Sequence, residues 1–355
     1  MARRRITSQD VARHAGVSRT TVSFVLNGVK EANISEETRR RVLAAAEELG
    51  YVPDASAQAL ASGRTRTIAM ILTQDDPHPS ASSLHFRIIE GLMEVTRQSG
   101  VRLLIDSVRQ TEVSNTYLSL ARTKRIDGLI LSDVRVDNGA LPELSSEDFP
   151  IVLLDNLPSV QLCSVSFDNR GGARKAVAHL IAAGHRRIAL VAHAPTAFRG
   201  VAERLGGYQD ALAEAGIPFD EELVRQGDYS PESGYAAASA LLRLPETPTA
   251  LFVTNDELAF GALQAIQERG LRVPDDVAVA GFDDHPLARF ASPPLTTVRL
   301  PFEEMGRQAG ALLLGRIRRE IEPGRSVVLE GELVVRRSSV RQSDAQPADA
   351  PQLPT

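Results

Sequence analysis

Residues 7–28 read Thr7-Ser-Gln-Asp10-Val-Ala-Arg-His-Ala-Gly16-Val-Ser18-Arg-Thr-Thr-Val-Ser-Phe-Val-Leu-Asn-Gly28. The spacing predicts two short helices and a tight turn. Thr7 is placed to cap the first, with Asp10 three residues on as its capping-box partner. Val11, Ala12 and Ala15 share one helical face. Gly16 suits the turn, because glycine adopts positive φ at no steric cost. Ser18 is placed to cap the second helix. Val22, Val25 and Leu26 then turn toward the first helix, which leaves Arg19, Thr20, Ser23 and Phe24 outward. A helix-turn-helix of this size fits a DNA major groove.

Outward from this motif, residues 35–49 predict a third helix. Ser35 caps it, Glu36 and Glu37 sit at its positive end and Gly50 ends it. Val42, Ala45, Ala46 and Leu49 form its apolar stripe. Tyr51-Val52-Pro53 breaks the chain, and residues 54–62 have the length of about two helical turns. So short a helix is marginal in water, where isolated helices under ~12 residues rarely persist.

The charge follows the same division. The 355 residues carry a net charge of -5, yet residues 1–66 hold eleven Lys/Arg against seven Asp/Glu, or +4, which leaves -9 for the remainder. A basic head on an acidic body suits a nucleic-acid module attached to a domain with another task. Cys163 is the single cysteine, which rules out an internal disulfide and a cysteine metal site. No apolar core follows Arg3-Arg4-Arg5, which argues against a signal peptide. No apolar run approaches the roughly 18–20 residues that span a bilayer. The expected location is therefore the cytoplasm.

From Thr67 the pattern becomes alternating strands and helices. Strands are expected at 68–73, 101–106, 128–132, 151–155, 188–192, 250–254 and 277–282. Helices are expected at 86–100, near 114–124, and at 171–183, 203–215, 231–242 and 257–269. Regular alternation implies parallel sheets covered by helices, and two such series, the second starting near Ser164, imply two similar lobes. Ligands in such layouts bind beyond the carboxyl ends of the strands. The polar tail from Ser338 reads as disordered.

Several ordered blocks resemble the lactose/galactose-repressor (LacI/GalR) family of bacterial regulators. They are Asp10-Val-Ala, Ala15-Gly-Val-Ser18, Thr21-Val-Ser23 and Leu26-Asn-Gly28 in the head. Gly50-Tyr-Val-Pro53 and Ala57-Gln-Ala-Leu-Ala61 follow. The body adds Arg125-Ile-Asp-Gly128, Asp168-Asn169, Gly184-His185-Arg-Arg-Ile188, Glu203-Arg204, Thr254-Asn-Asp256, Gly281-Phe-Asp-Asp284 and Pro293-Pro-Leu-Thr-Thr297.

The resemblance implies an all-α helix-turn-helix head (1–52), a hinge helix (53–66), an α/β two-lobed periplasmic-binding-protein-like body (67–340) and a disordered end (341–355). The first lobe is expected at about 67–165 plus 297–324, the second at about 166–296 plus 325–340. It also implies a homodimer that places one recognition helix per half-site of operator DNA. Thr7, Ser18, Arg19, Thr20, Ser23, Phe24 and Asn27 match DNA-contacting positions, with Ala57 and Leu60 of the hinge in the minor groove. An apolar wedge such as Leu60 kinks DNA for a few kcal/mol per step. Arg3, Arg4, Arg5 and Lys30 suit phosphates, which position without specifying. Phe24 departs from the family's frequent arginine; its bland alternative is internal packing or shielding of the phosphates.

For a small-molecule effector, a carbohydrate by resemblance, the matched positions are Thr73, Asp76, Ser132, Asp133, Asp155, Arg204, Tyr229, Asn255 and Asp283. A hydroxyl-rich ligand needs a forked donor and carboxylate acceptors, because unpaired buried polar groups are costly. Taken singly, an Asp or Asn after a strand is more often a helix cap. The segment Asp75–Ser83 departs from the family's Asn-Pro-Phe-Phe loop. No HExxH, Walker loop or Gly-x-Ser-x-Gly elbow occurs, so no catalytic residue, metal or cofactor is expected. The alternatives are a sugar-binding transport protein, a regulator with a nucleobase corepressor, and an enzyme on a doubly wound fold.

Overall fold

A computed structural model describes residues 6–26, 33–52, 63–73, 81–109, 112–123, 125–139 and 141–340. The chain divides into two compact units, residues 1–66 with 124–127, and the remainder.

The head contains α1 (Ser8–Ala15), α2 (Arg19–Leu26) and α3 (Glu36–Glu48). Thr7 and Asp10 form a reciprocal capping box, and Gly16 lies in the left-handed region at φ 63°. The Ser18 hydroxyl accepts from the Thr21 amide at 3.1 Å. Ser35 does the same for Thr38 at 3.2 Å. Val11, Ala12, Ala15, Val22, Val25, Val42, Ala45 and Ala46 are buried together, with Leu26, Leu49 and Tyr51 packed on them. The same unit includes the anchor of residues 65–66: the Thr65 and Arg66 amides donate to the Asp127 carboxylate at 2.7 and 2.8 Å.

In the body, β1 (Thr67–Thr73), β2 (Arg102–Val108), β3 (Gly128–Ser132), β4 (Ile151–Leu153), β5 (Cys163–Phe167) and β11 (Ser326–Leu329) form one sheet in the order β11-β5-β4-β3-β1-β2. All its pairings are parallel. The second sheet, β7-β6-β8-β9, is also parallel, from β6 (Ile188–Ala192), β7 (Val224–Gln226), β8 (Ala250–Val253) and β9 (Ala278–Ala280). Strands such as Gly128–Ser132 and Ile188–Ala192 are buried at every residue, as parallel strands covered on both faces must be. An antiparallel pair, β10 (Thr297–Arg299) with β12 (Glu332–Val334), packs beside the second sheet.

Helices cover both sheets: α4 (Ala81–Ser99), α5 (Val113–Arg122), α6 (Leu141–Ser146) and α11 (Phe302–Ile317) lie with the first. The second carries α7 (Asn169–Ala182), α8 (Arg199–Glu214), α9 (Pro231–Leu241) and α10 (Asp256–Glu268). No described helix is long and apolar enough to cross a membrane.

The structure corrects several expectations. The strand at 163–167 belongs wholly to the first sheet, so the second series begins at α7 and not near Ser164. The segment 326–329 also pairs with that sheet, although the resemblance implies the second lobe for residues 325–340. Such returns depend on long-range pairing that local periodicity does not encode. The helix expected at 86–100 starts at Ala81. The tail is not loose from Ser338: Ser338 and Ser339 are buried, and the Val279 amide donates to the Ser338 carbonyl at 2.8 Å. Hydroxyls suit that site because each finds a partner. Ser339 meets His179 at 2.8 Å and Thr296 at 2.6 Å.

Helices α4 and α11 approach closely enough that glycine is required. A Cβ on Gly306 would fall on the Ile88 carbonyl oxygen, and one on Gly91 on the Glu303 carbonyl oxygen. Gly306→Ala is therefore expected to cost about 1–3 kcal/mol, the usual range for overpacking. Calorimetry of the body transition checks this; an unchanged midpoint contradicts it.

Candidate functional site

On the head, the second helix presents Arg19, Thr20 and Phe24 to solvent, with Ser23 half-buried. Phe24 is 39% exposed and stands outside the buried cluster. Arg19 Nε donates to Ser8 Oγ at 3.2 Å, tying the start of α2 to that of α1. The Thr7 hydroxyl donates to Asp10 at 2.7 Å and the Ser18 hydroxyl is engaged with Thr21, so both shape the helix starts. Asn27, Ala57 and Leu60 lie outside the described residues, as do Arg3, Arg4, Arg5 and Lys30.

In the body, parallel pairing brings the carboxyl ends of both sheets to one cleft, a cavity of about 520 Å³. Thr73, Ser132, Asp133, Asp155, Arg204, Tyr229, Asn255 and Asp283 all line it. Asp76 lies outside the described residues.

Arg204 is the centre of the second-lobe wall. Its Nε donates to Asn169 Oδ1 at 2.9 Å and its Nη1 to the Thr254 carbonyl at 2.5 Å. Its Nη2 lies 3.2 Å from Asp283 Oδ1. The guanidinium also stacks 3.9 Å from the Phe282 ring centroid. Asn255 has two tasks. Its Oδ1 caps α10 by accepting from Glu257 and Leu258 at 3.0 and 3.3 Å, while its Nδ2 donates to Asp283 Oδ2 at 2.7 Å. The cap and the site residue are thus one side chain.

Asp283 Oδ1 is buried and has no partner in hydrogen-bonding geometry, despite the nearby Arg204. Its backbone sits at φ 108°, and that of Asp284 at φ 52°. Consecutive non-glycine residues in this region store strain that the surrounding structure must hold. Burial pushes the Asp283 carboxyl up to about 6, against the pull of Arg204 and Asn255. Burial likewise raises Asp155 to about 6.

On the first-lobe wall, Asp133 Oδ2 accepts from Ser132 Oγ and meets His85 Nε2, both at 2.8 Å. Burial opposes its charge, but His85 and Ser132 outweigh it, and its carboxyl is lowered. Thr73 shares its hydroxyl with buried Tyr117 at 2.5 Å. His193 stacks edge-to-face on Tyr229, 5.0 Å between centroids, and meets Thr254 Oγ1 at 2.7 Å. Burial, reinforced by Arg204, keeps the His193 imidazole neutral well below its usual range.

The cavity also includes residues not assigned to the effector from sequence: His85, Asn169, His193, Phe198, Glu257, Phe302 and Met305. His193 directly follows β6, so the strand-end rule could have found it. His85 and Met305 come from helices, for which that rule carries no signal.

A helix-turn-helix head followed by a two-lobed body with a polar cleft at its strand ends defines a ligand-responsive DNA-binding regulator. Residues 7–54 match the model of bacterial regulatory proteins, lacI family, and residues 177–339 that of a periplasmic binding protein-like domain. The HTH-type transcriptional regulator CelR of Thermobifida fusca is 37% identical over 339 residues, 95% of this chain and 99% of that protein. The structure of a CelR–cellobiose complex is similar with a TM-score of 0.72 at 36% identity, covering 94% of this chain and 100% of that one. That of the lac repressor dimer bound to operator and the anti-inducer ONPF gives 0.84 at 30% identity, covering 95% and 100%. The chain belongs to the LacI family and is a helix-turn-helix transcriptional regulator.

The raised Asp283 carboxyl has a signed consequence. The folded protein keeps this proton up to about pH 6, whereas an unfolded aspartate, with its ordinary value of 3.8, releases it earlier. The group therefore lowers stability as pH rises between those values. Asp283→Asn lacks this dependence, so the stability difference should move in the variant's favour by up to about 3 kcal/mol between pH 4 and 7. Urea unfolding across that range measures it; a difference independent of pH contradicts it.

Proposed function

We propose that this regulator is a cytoplasmic homodimeric repressor, released from a pseudo-palindromic operator by a neutral, hydroxyl-rich carbohydrate. It performs no chemistry on that ligand. The observation that carries the ligand class is the cavity's donor and acceptor balance. Among the described residues, Asp133, Asp155, Asp228, Glu257 and Asp283 line it against two guanidinium groups. Arg204 is engaged with Asn169, Thr254 and Asp283, and Arg135 with Asp137 at 2.9 and 2.8 Å. An anionic ligand would meet carboxylates, whereas hydroxyl groups can donate to them. Asp283 Oδ1, which Arg204 approaches at 3.2 Å but outside hydrogen-bonding geometry, suits a ligand hydroxyl. The cellobiose held by the similar CelR complex belongs to this ligand class.

The operator reading places Arg19 and Thr20 at base edges and Phe24 against a thymine methyl, which a phenyl ring can touch but not hydrogen-bond. Thr7, Ser18 and Ser23 flank these contacts, and Asn27, Ala57 and Leu60 complete the set. Dimerisation is supported by β2, which has no outer partner strand among the described residues and where Leu104 and Ile105 are 43% and 45% exposed, and by exposed Phe86 and Met93 on α4. An exposed apolar edge strand invites pairing with another chain.

Fluorescence anisotropy on the DNA flanking the chain's own gene tests this reading. Tight, salt-steep binding is expected. One neutral mono- or disaccharide should abolish it, while sugar phosphates and nucleobases leave it unchanged. Arg19→Ala should weaken specific binding by roughly 1–3 kcal/mol. Release only by an anion or a nucleobase would overturn the ligand class, and absence of specific binding would overturn the operator role at that DNA. In the same buffer, Ile105→Asp should shift the sedimentation coefficient from dimer to monomer; a dimer that persists would contradict the assigned edge.

A further inference from the structure

The cavity is bordered by a seam in which loops from the two lobes touch. After β3, Arg135 and Val136 of the first lobe reach residues 197–198 of the second. The Val136 amide donates to the Ala197 carbonyl at 3.1 Å. The Arg135 guanidinium lies 5.7 Å from the centre of the Phe198 ring. Asp137 grips the same guanidinium by both arms, at 2.9 and 2.8 Å, which fixes the plane it presents to the ring. Further along the seam, the Asp155 carboxylate of the first lobe lies near the Gly200 amide at the start of α8. Arg135, Phe198, Asp155 and Gly200 all line the cavity.

We propose that Phe198 and the Asp137-braced guanidinium of Arg135 form a clasp across the mouth of the cavity. It holds the two lobes together before ligand arrives and sets how often the cavity opens. The physical basis is cation–π attraction between a guanidinium and an aromatic face within about 6 Å. Both sides are only partly covered, so the attraction is modest. That suits a contact which must break and remake, whereas a buried ion pair would hold the cleft shut. The backbone bond from Val136 to Ala197 sets the register in which ring and guanidinium meet. For effector control this rests on the cavity being the effector site, but the clasp itself is read without any ligand.

The test uses the full chain and thiol alkylation by iodoacetamide, followed by mass spectrometry. Met305→Cys puts a thiol in the cavity lining, and Ile88→Cys on α4 serves as a second reporter. Native Cys163, 1% exposed in the first sheet, reports opening of the fold as a whole. Adding Phe198→Ala should speed alkylation at position 305 by about two- to fivefold, the factor a partly exposed cation–π contact supports. Asp137→Asn should act in the same direction, and Phe198→Tyr, which keeps the ring, should retain the parent rate. Throughout, Cys163 should react at an unchanged rate. Unchanged alkylation at both cavity reporters in Phe198→Ala and Asp137→Asn would overturn the clasp. So would equal acceleration at Cys163, because the ring would then support the fold and not the closure. No ligand enters the assay, so its outcome is independent of whether any sugar releases DNA.

Discussion

Parallel pairing is the constraint on which the body of this protein depends. A parallel strand must return by a crossover, so every strand of a sheet points the same way and ends at the same edge. Residues distant in sequence, such as Thr73, Ser132, His193, Asn255 and Asp283, therefore converge because each ends or follows a strand. The crossover helices must then share the space above and below the sheets. Where α4 and α11 meet, a backbone carbonyl lies where a side chain would start.

The second consequence is a buried polar wall that is held together before any ligand is bound. Removing a carboxylate from water is costly, and one neighbouring charge does not recover the whole cost. Asp283 has a guanidinium, an amide and a strained backbone around it, yet one oxygen has no donor in hydrogen-bonding geometry. Arg204 in turn is positioned by Asn169 and the Thr254 carbonyl. Such a preorganised site loses little freedom when a partner of the right shape arrives. The adjoining Asp284 is paired to Arg299 and Arg336, both at 2.7 Å, and Arg299 ends the strand that leads back toward the first lobe. Site and interlobe connection are therefore neighbours in space.

The head obeys different physics. Its eight-residue helices are too short to be stable alone, so caps and a small shared core hold them. Thr7, Ser18 and Ser35 each satisfy an amide at a helix start, and eight buried residues of three helices interlock. That rigidity lets α2 present Arg19, Thr20 and Phe24 as a fixed set.

Local chemistry settled much of this from the sequence alone. The capping box at Thr7 and Asp10, the turn at Gly16, the strands at 128–132 and 188–192 and the helix-turn-helix itself follow from side-chain type and spacing within a few residues. The strand-end positions of Asn255 and Asp283 were legible for the same reason. Tertiary structure alone decided where 326–329 pairs, that Ser338 and Ser339 are buried, and that α4 brings His85 against Asp133. It also decided that Arg204 meets three protein partners and that Arg135 faces Phe198 across the cleft. Periodicity records how a segment divides between core and solvent, whereas these contacts join segments tens to hundreds of residues apart, whose meeting is set by packing of the whole body.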